Sequence, residues 1–409
     1  MKRLHGVSNP SAGGGKVRWL VGLMALLAVL VVAGCGGGSG SSSAGGESTG
    51  AETSADTEGE STTAASGDGE LQPPEYARQI EALAAEKVPA GKYKRPGPYT
   101  LALLDQGPSN GWGKTYEVTA EWAAKENPEV SDFTVADSEG NVQTQTTQME
   151  DAISRKPDAI VVHPAGDGLV GPATKAMEAG IPVVLCSNGL PDSNSFATQV
   201  AVNYWSTGVE LARRLATMMG EKGNVVFMGG LPTYQHTIIY QEAAKKTFAA
   251  EFPEVHITDT TMSEYSIAKG KTDMEALLAS NPTIDGVYTA GSEAAIGALQ
   301  AFEERGAEMP AFAVSNDLNG FVRLAEENEV EFVAAPAPAS MSASCIDTAV
   351  DLLKGKSVPR FIDAEVVTPD SEIYDDSEAK KHYYPEFSDE FVGPPIAPAS
   401  VYKDAGLGR

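Results

Sequence analysis

Polar and aromatic side chains recur in this sequence directly after short apolar runs. Gln106, Asn110 and Trp112 follow Tyr99–Leu104. His163 follows Asp158–Val162, Ser187 and Asn188 follow Ile181–Leu185, and Asn203 follows Phe196–Val202. Amides and hydroxyls offer donors and acceptors together, and an indole adds an apolar face. That set is suited to gripping a small polar molecule. A reaction would need more, and the patterns that supply it are missing: there is no P-loop, GxSxG, HExxH or CxxC. Gly229-Gly230 is not a GxGxxG, and the five histidines are scattered without ligand spacing. No catalytic centre, metal or cofactor is therefore expected.

The elements that must carry these residues are legible around residues 158–188. Asp158–Val162 is a β-branched run that stops at His163-Pro164, as a strand does at a turn. Leu169, Val170, Ala173, Ala176 and Met177 have helical spacing, and Gly180 is placed to end that helix. A second apolar run follows. Strand, helix and strand make a right-handed βαβ unit, and open parallel sheets bind ligands beyond the carboxyl ends of their strands. The same alternation runs from Tyr99 to Val202 and again from Thr207 to Val367, with Phe361–Val367 read as a final strand. This predicts an α/β chain of two doubly wound parallel-sheet lobes.

Lys and Arg number 30 against 56 Asp and Glu, a net charge of −26. This argues against nucleic acid and anionic membrane surfaces as partners. Cys35, Cys186 and Cys345 suggest neither a disulfide framework nor a metal site, and Cys186 reads as a buried structural thiol. Residues 1–34 combine Lys2, Arg3, Lys16 and Arg18 with an apolar run shorter than a comfortable membrane span of about 20 residues. The run ends in Val32-Ala33-Gly34-Cys35, which resembles the lipobox of bacterial lipoproteins and implies a lipid on Cys35. Residues 35–72 are Gly, Ser, Thr and Ala with scattered acids. They cannot bury enough apolar surface to offset their ordering entropy, and read as a spacer. Residues 73–98 hold a helix over Tyr76–Lys87 and a basic loop. Residues 368–409, Pro-rich, acidic and aromatic, are left without a role.

The order strand, Pro164, helix, then Gly180-Ile181-Pro182-Val183-Val184 resembles the ribose- and galactose-type sugar-binding proteins, type I periplasmic solute-binding proteins that feed ABC importers. The resemblance covers about Tyr99 to Val367. It implies three crossings between the lobes, near Asn203-Tyr204, near Ala335-Pro336 and after Ser357. The first lobe would be 99–203 plus 337–357 and the second 204–336 plus 358–367, closing on a ligand about a hinge. Position by position, it implies a site of Gln106, Asn110, Trp112, His163, Ser187, Asn188, Asn203, Tyr240, Ser292, Ser315 and Asp317. Where the family has an Asp-Arg pair after its "IPVV" run, Ser187-Asn188 stand here. Tyr240 replaces an Arg, and Ser315 an Asp. The cleft would then lack the family's Arg-carboxylate grip, and the expected ligand is a small, sugar-like polar solute that is smaller, less polar or held through water. The implied partners are a membrane permease and, through the lipid, the membrane. The chain would act as an extracytoplasmic monomer. A ligand sensor that signals through a membrane receptor is the alternative.

Overall fold

The computed structural model describes residues 73–232, 234–281, 283–367 and 372–409. The expected signal segment, Cys35 and the spacer lie outside the described residues. In chain order the first elements are α1 (Glu75–Ala85), β1 (Lys87–Val88), β2 (Tyr99–Asp105), α2 (Gly111–Glu126), β3 (Val130–Asp137), α3 (Val142–Arg155), β4 (Ala159–Val162), α4 (Val170–Glu178), β5 (Val183–Cys186) and β6 (Thr198–Ala201). Then come α5 (Tyr204–Met218), β7 (Lys222–Gly229), α6 (Gln235–Glu251), β8 (Glu254–Met262), α7 (Ile267–Ser280), β9 (Gly286–Thr289), α8 (Ser292–Arg305), β10 (Ala311–Ser315), α9 (Asn319–Glu327) and β11 (Phe332–Ala335). The chain closes with α10 (Met341–Leu353), β12 (Val358–Pro359), β13 (Phe361–Asp363), α11 (Ala364–Val367), β14 (Tyr374–Asp375), α12 (Ala379–His382) and α13 (Ala399–Asp404).

Two six-stranded sheets result, in the orders β13-β6-β5-β4-β2-β3 and β14-β11-β10-β9-β7-β8. All pairings are parallel except β11 with β14. The reason for the continuous apolar runs is visible in the first sheet. Leu101, Leu103, Ala159, Val161 and Val184 pack with α2 and α10, while Ala102, Leu104, Ile160, Val162 and Val183 pack with α1, α3 and α4. Successive strand residues face opposite sides, and both sides are covered by helices. Each sheet reverses its direction of growth once, between β2 and β4 and between β7 and β9. Those are the switch points where a crevice opens.

Three expectations are corrected. Residues 358–367 do not belong to the second lobe. Val358 and Pro359 pair with Val88 and Lys87, and Phe361–Asp363 pair with β6 of the first lobe. The chain crosses later, between β13 and β14. The final strand is also shorter than Phe361–Val367, because helix α11 begins at Ala364; Thr207 of α5 donates to Glu365 there at 2.9 Å. Finally, Cys186 is no free thiol. It forms a disulfide with Cys345 of α10, with 6.0 Å between Cα atoms. The 159-residue separation hid the pairing, since only the fold brings the end of β5 against α10.

Residues 372–409 dock on both lobes. Tyr374–Asp375 extend the second sheet, and Asn319 at the start of α9 donates through Nδ2 to the carbonyls of Tyr384 and Phe387. Arg323 grips Asp389 through two nitrogens. On the other side Phe387, Phe391, Tyr402 and Leu407 form a small core against Val118 and Trp122 of α2. A Cβ on Gly111 would lie 1.9 Å from the Glu390 carbonyl oxygen, and one on Gly320 would lie 2.8 Å from the Asp389 Cβ. The segment thus lies against the amino ends of a helix from each lobe.

Candidate ligand site

The two switch points face one cavity of about 460 Å³, a volume typical of small-molecule sites. From the first lobe come Gln106, Asn110 and Trp112 after β2, His163 after β4, and Ser187 and Asn188 after β5. Asn110 caps α2, its side chain accepting from the Gly113 N–H at 2.9 Å, which leaves its Nδ2 for other partners. Gln106 and Asn188 both donate to the Pro164 carbonyl, at 2.6 and 3.3 Å, so each keeps its oxygen as a remaining acceptor. Trp112 stacks on Tyr116 with centroids 5.2 Å apart and lies 5.2 Å from the His163 ring; its Nε1 donates to Ala337 O at 2.6 Å. His163 Nδ1 is 2.9 Å from Asp105 Oδ1, which fixes the ring.

The second lobe and the carboxyl-terminal segment contribute Tyr204, Leu231, Tyr234, His236, Glu264, Tyr265, Glu293, Asn316, Leu318 and Glu390, among others. His236 bridges Tyr265 OH (2.9 Å) and Ser315 Oγ (3.0 Å), and burial pushes its pKa down to about 3, so it is neutral at physiological pH. Burial raises the Tyr204 phenol to about 12 and the Tyr265 phenol further, so both remain neutral donors. Burial likewise lifts Glu293 to about 7, its proximity to Glu390 adding to the rise. Among the described residues no group of His, Cys, Asp and Glu is disposed to hold a metal ion.

Six of the eleven expected residues come together here: Gln106, Asn110, Trp112, His163, Ser187 and Asn188. The other five do not line the cavity. Asn203 caps α5 through the Ser206 N–H, and its neighbour Tyr204 enters the cavity instead, 3.0 Å from Ser187 Oγ. Tyr240 is fully buried one helical turn below His236, with ring centroids 4.9 Å apart. Ser292 Oγ accepts from Leu318 N–H and donates to Asn316 O, and the next residue, Glu293, lines the cavity. Ser315 supports His236, and Asp317 accepts from Tyr374 OH at 3.0 Å. Between them Asn316, in the left-handed conformation at φ 66°, lines the cavity. At 203, 292 and 315–317 it is an adjacent residue that lines the cavity, because neighbours at a strand or helix end point apart.

The loss of the family's charged pair does not leave the cavity without carboxylates. Glu264, Glu293 and Glu390 line the cavity. They come from the β8–α7 turn, the first turn of α8 and the carboxyl-terminal segment.

Residues 102–357 match the family model described as a periplasmic binding protein domain. The chain belongs to this family. The binding protein is 23% identical over 231 residues to the ribose import binding protein of Bacillus subtilis, covering 56% of this chain and 74% of that one. It is 28% identical over 203 residues to a D-apiose import binding protein of Actinobacillus succinogenes, covering 49% of this chain and 65% of that one. Its fold matches that of an ABC transporter solute-binding protein from Bacillus halodurans solved with myo-inositol, at TM-score 0.63 and 19% identity over 70% of this chain and 98% of the other.

Proposed function

We propose that this binding protein is the extracytoplasmic solute receptor of an ABC importer, taking a sugar-like polyol into the interlobe cavity and delivering it to a membrane permease. One observation carries the reading: amide and hydroxyl groups from both switch points converge with the rings of Trp112, Tyr204, Tyr234 and Tyr265 on a single space. Rings cover the apolar face of a sugar while amides bond its rim. The family relatives, named for ribose and apiose import, support the same chemistry. The site is read as Gln106, Asn110, Trp112, His163, Ser187 and Asn188 with Tyr204, Tyr234, Tyr265, Glu293 and Asn316. A thermal-shift screen of monosaccharides and cyclic polyols tests it. A ligand at 100 times its Kd adds about 2.7 kcal/mol of stability, so at least one compound raises Tm clearly. No response to any member of the class sinks the reading.

The lipid anchor on Cys35 is part of the proposal. Val32-Ala33-Gly34-Cys35 and the Gly/Ser spacer support it, and the Cys186–Cys345 disulfide suits an oxidising compartment. Cys35→Ser is expected to abolish lipid attachment; a variant that still partitions wholly with membranes would place the anchor elsewhere.

A further inference from the structure

Among the described residues that line the cavity, three buried side-chain acceptor atoms have no hydrogen-bond partner. They are Oε1 and Oε2 of Glu293 and Oδ1 of Asn316. Both residues line the cavity, and both are more than nine-tenths buried, Glu293 being 3% exposed and Asn316 7%. They belong to one corner, because Ser292, the neighbour of Glu293, holds the Asn316 carbonyl through its hydroxyl. A buried acceptor without a donor is costly, and a charged one more so, so this corner is built for something that brings donors.

The charges say which donors. Among the described lining residues there is no lysine or arginine. Of the three carboxylates, Glu390 is paired with Lys114 at 2.6 Å, and Glu264 sits exposed at the rim. Glu293 has no such counter-charge. The first turn of α8 offsets part of its charge, as helix amino ends do. His236 is neutral and spends both ring nitrogens on Tyr265 and Ser315. The Tyr265 ring flanks the same corner, with its Cδ1 3.0 Å from where a Cβ on Gly291 would lie. A carboxylate beside aromatic rings in a site without a resident cation is an ammonium site in its chemistry. A hydroxyl would bring one donor and no charge. An alkylammonium brings three donors and the missing positive charge.

We propose that the solute of this binding protein carries a protonated amino group, that is, an amino-substituted sugar or cyclitol whose ammonium is held by Glu293 and Asn316 while its ring lies against the aromatic walls. The assignment rests on the polyol reading of the cavity and narrows it. Glu293 is a binding residue that no positional match singles out, since it stands one place beyond Ser292.

The test is calorimetric titration of the full-length protein at pH 7.5 with matched pairs: glucosamine against glucose, and an amino-deoxyinositol against myo-inositol. In at least one pair the amine is expected to bind about tenfold tighter or more, as befits a charge-assisted contact in a buried site. Glu293→Gln is expected to erase that ratio to within about threefold. Equal or tighter binding of the neutral partner in each pair that binds overturns the proposal and leaves the polyol reading standing. An amine preference that survives Glu293→Gln overturns the role of Glu293. Failure of every compound, neutral and cationic, overturns the polyol reading and this proposal with it. If the variant does not fold, the native pairs alone decide whether the solute is a cation.

Discussion

Trp112 serves two purposes that substitutions can separate. Its ring lines the cavity and its Nε1 ties α2 to Ala337 on the path back from the second lobe. Trp112→Ala removes both the face and the tie, and is expected to weaken the responding polyol by about 2 kcal/mol or more. Trp112→Phe keeps a ring and loses only the donor. It should leave affinity within about threefold while lowering stability by roughly 1 kcal/mol or more, because the Ala337 carbonyl loses its partner. Titration and melting of both variants check this. If Trp112→Ala melts early yet binds as tightly as before, the indole is packing and not part of the site. Ser187 and Asn316 show the same dependence on local geometry. Both sit at φ near +66°, at 67° and 66°, just after a buried strand, so each turns its side chain into the crevice rather than along the sheet.

Among the elements, the carboxyl-terminal segment changes how the lobes are joined. Three crossings run at Val202–Tyr204, at Ala335–Ala337 and between β13 and β14, while α10 is stapled to β5 of the first lobe by the disulfide. A link closing so long a loop contributes on the order of 3–5 kcal/mol. Beyond the third crossing, residues 384–392 touch the second lobe through Asn319 and Arg323 and the first through Gly111 and Lys114. Phe391 is fully buried in the small core that holds the segment to α2. Phe391→Ala should cost roughly 3–5 kcal/mol of that docking, less of the lobes. Limited proteolysis is then expected to remove the segment and leave the two sheets intact, with weaker ligand binding as Glu390 leaves the cavity. A segment that stays as protected as in the native protein would show that Phe391 does not anchor it.

At the scale of the whole molecule, buried carboxyls set the pH response. Glu117, Glu293, Asp317 and Glu365 are each lifted to about 7, in every case mainly by burial. A carboxyl whose folded pKa lies above its unfolded value binds more protons in the folded state. Its stabilisation is fully present below the unfolded pKa and is lost as pH rises through about 7. Glu251 and Asp389 run the other way, held low by hydrogen bonds from Arg213 and Arg323, and their contribution is lost only in stronger acid. Stability of the ligand-free protein should therefore fall between pH 5 and pH 8, with Tm dropping by about 5 °C or more. Melting curves across that range check it; a flat or rising Tm would mean that these carboxyls are solvated or paired in solution. Opening of the cleft is constrained at this scale too, since rotation about the three crossings must also strain or release the docked carboxyl-terminal segment.

Much of this protein is determined by local sequence. Apolar runs such as Ala159–Val162 and Val183–Cys186 specify buried parallel strands because both faces of each must be covered, and the Pro164 and Gly180 stops fix where chain direction changes. Two successive blocks of that alternation suffice for two lobes, and strand ends suffice to point at residues 106, 110, 112, 163, 187 and 188. What only the tertiary structure decided lies at long separation or within one residue of a turn. Cys186 meets Cys345, Phe361–Asp363 joins the first sheet, and Glu390 reaches a cavity whose lining begins as far back as Gln106. No periodicity encodes such contacts, because each depends on how whole helices and sheets pack. The exchange of Ser292 for Glu293 and of Ser315 for Asn316 has a different cause. At the end of a strand or the first turn of a helix, the backbone torsions of a single residue decide which neighbour faces the ligand, and those torsions are settled by the loops packed around them.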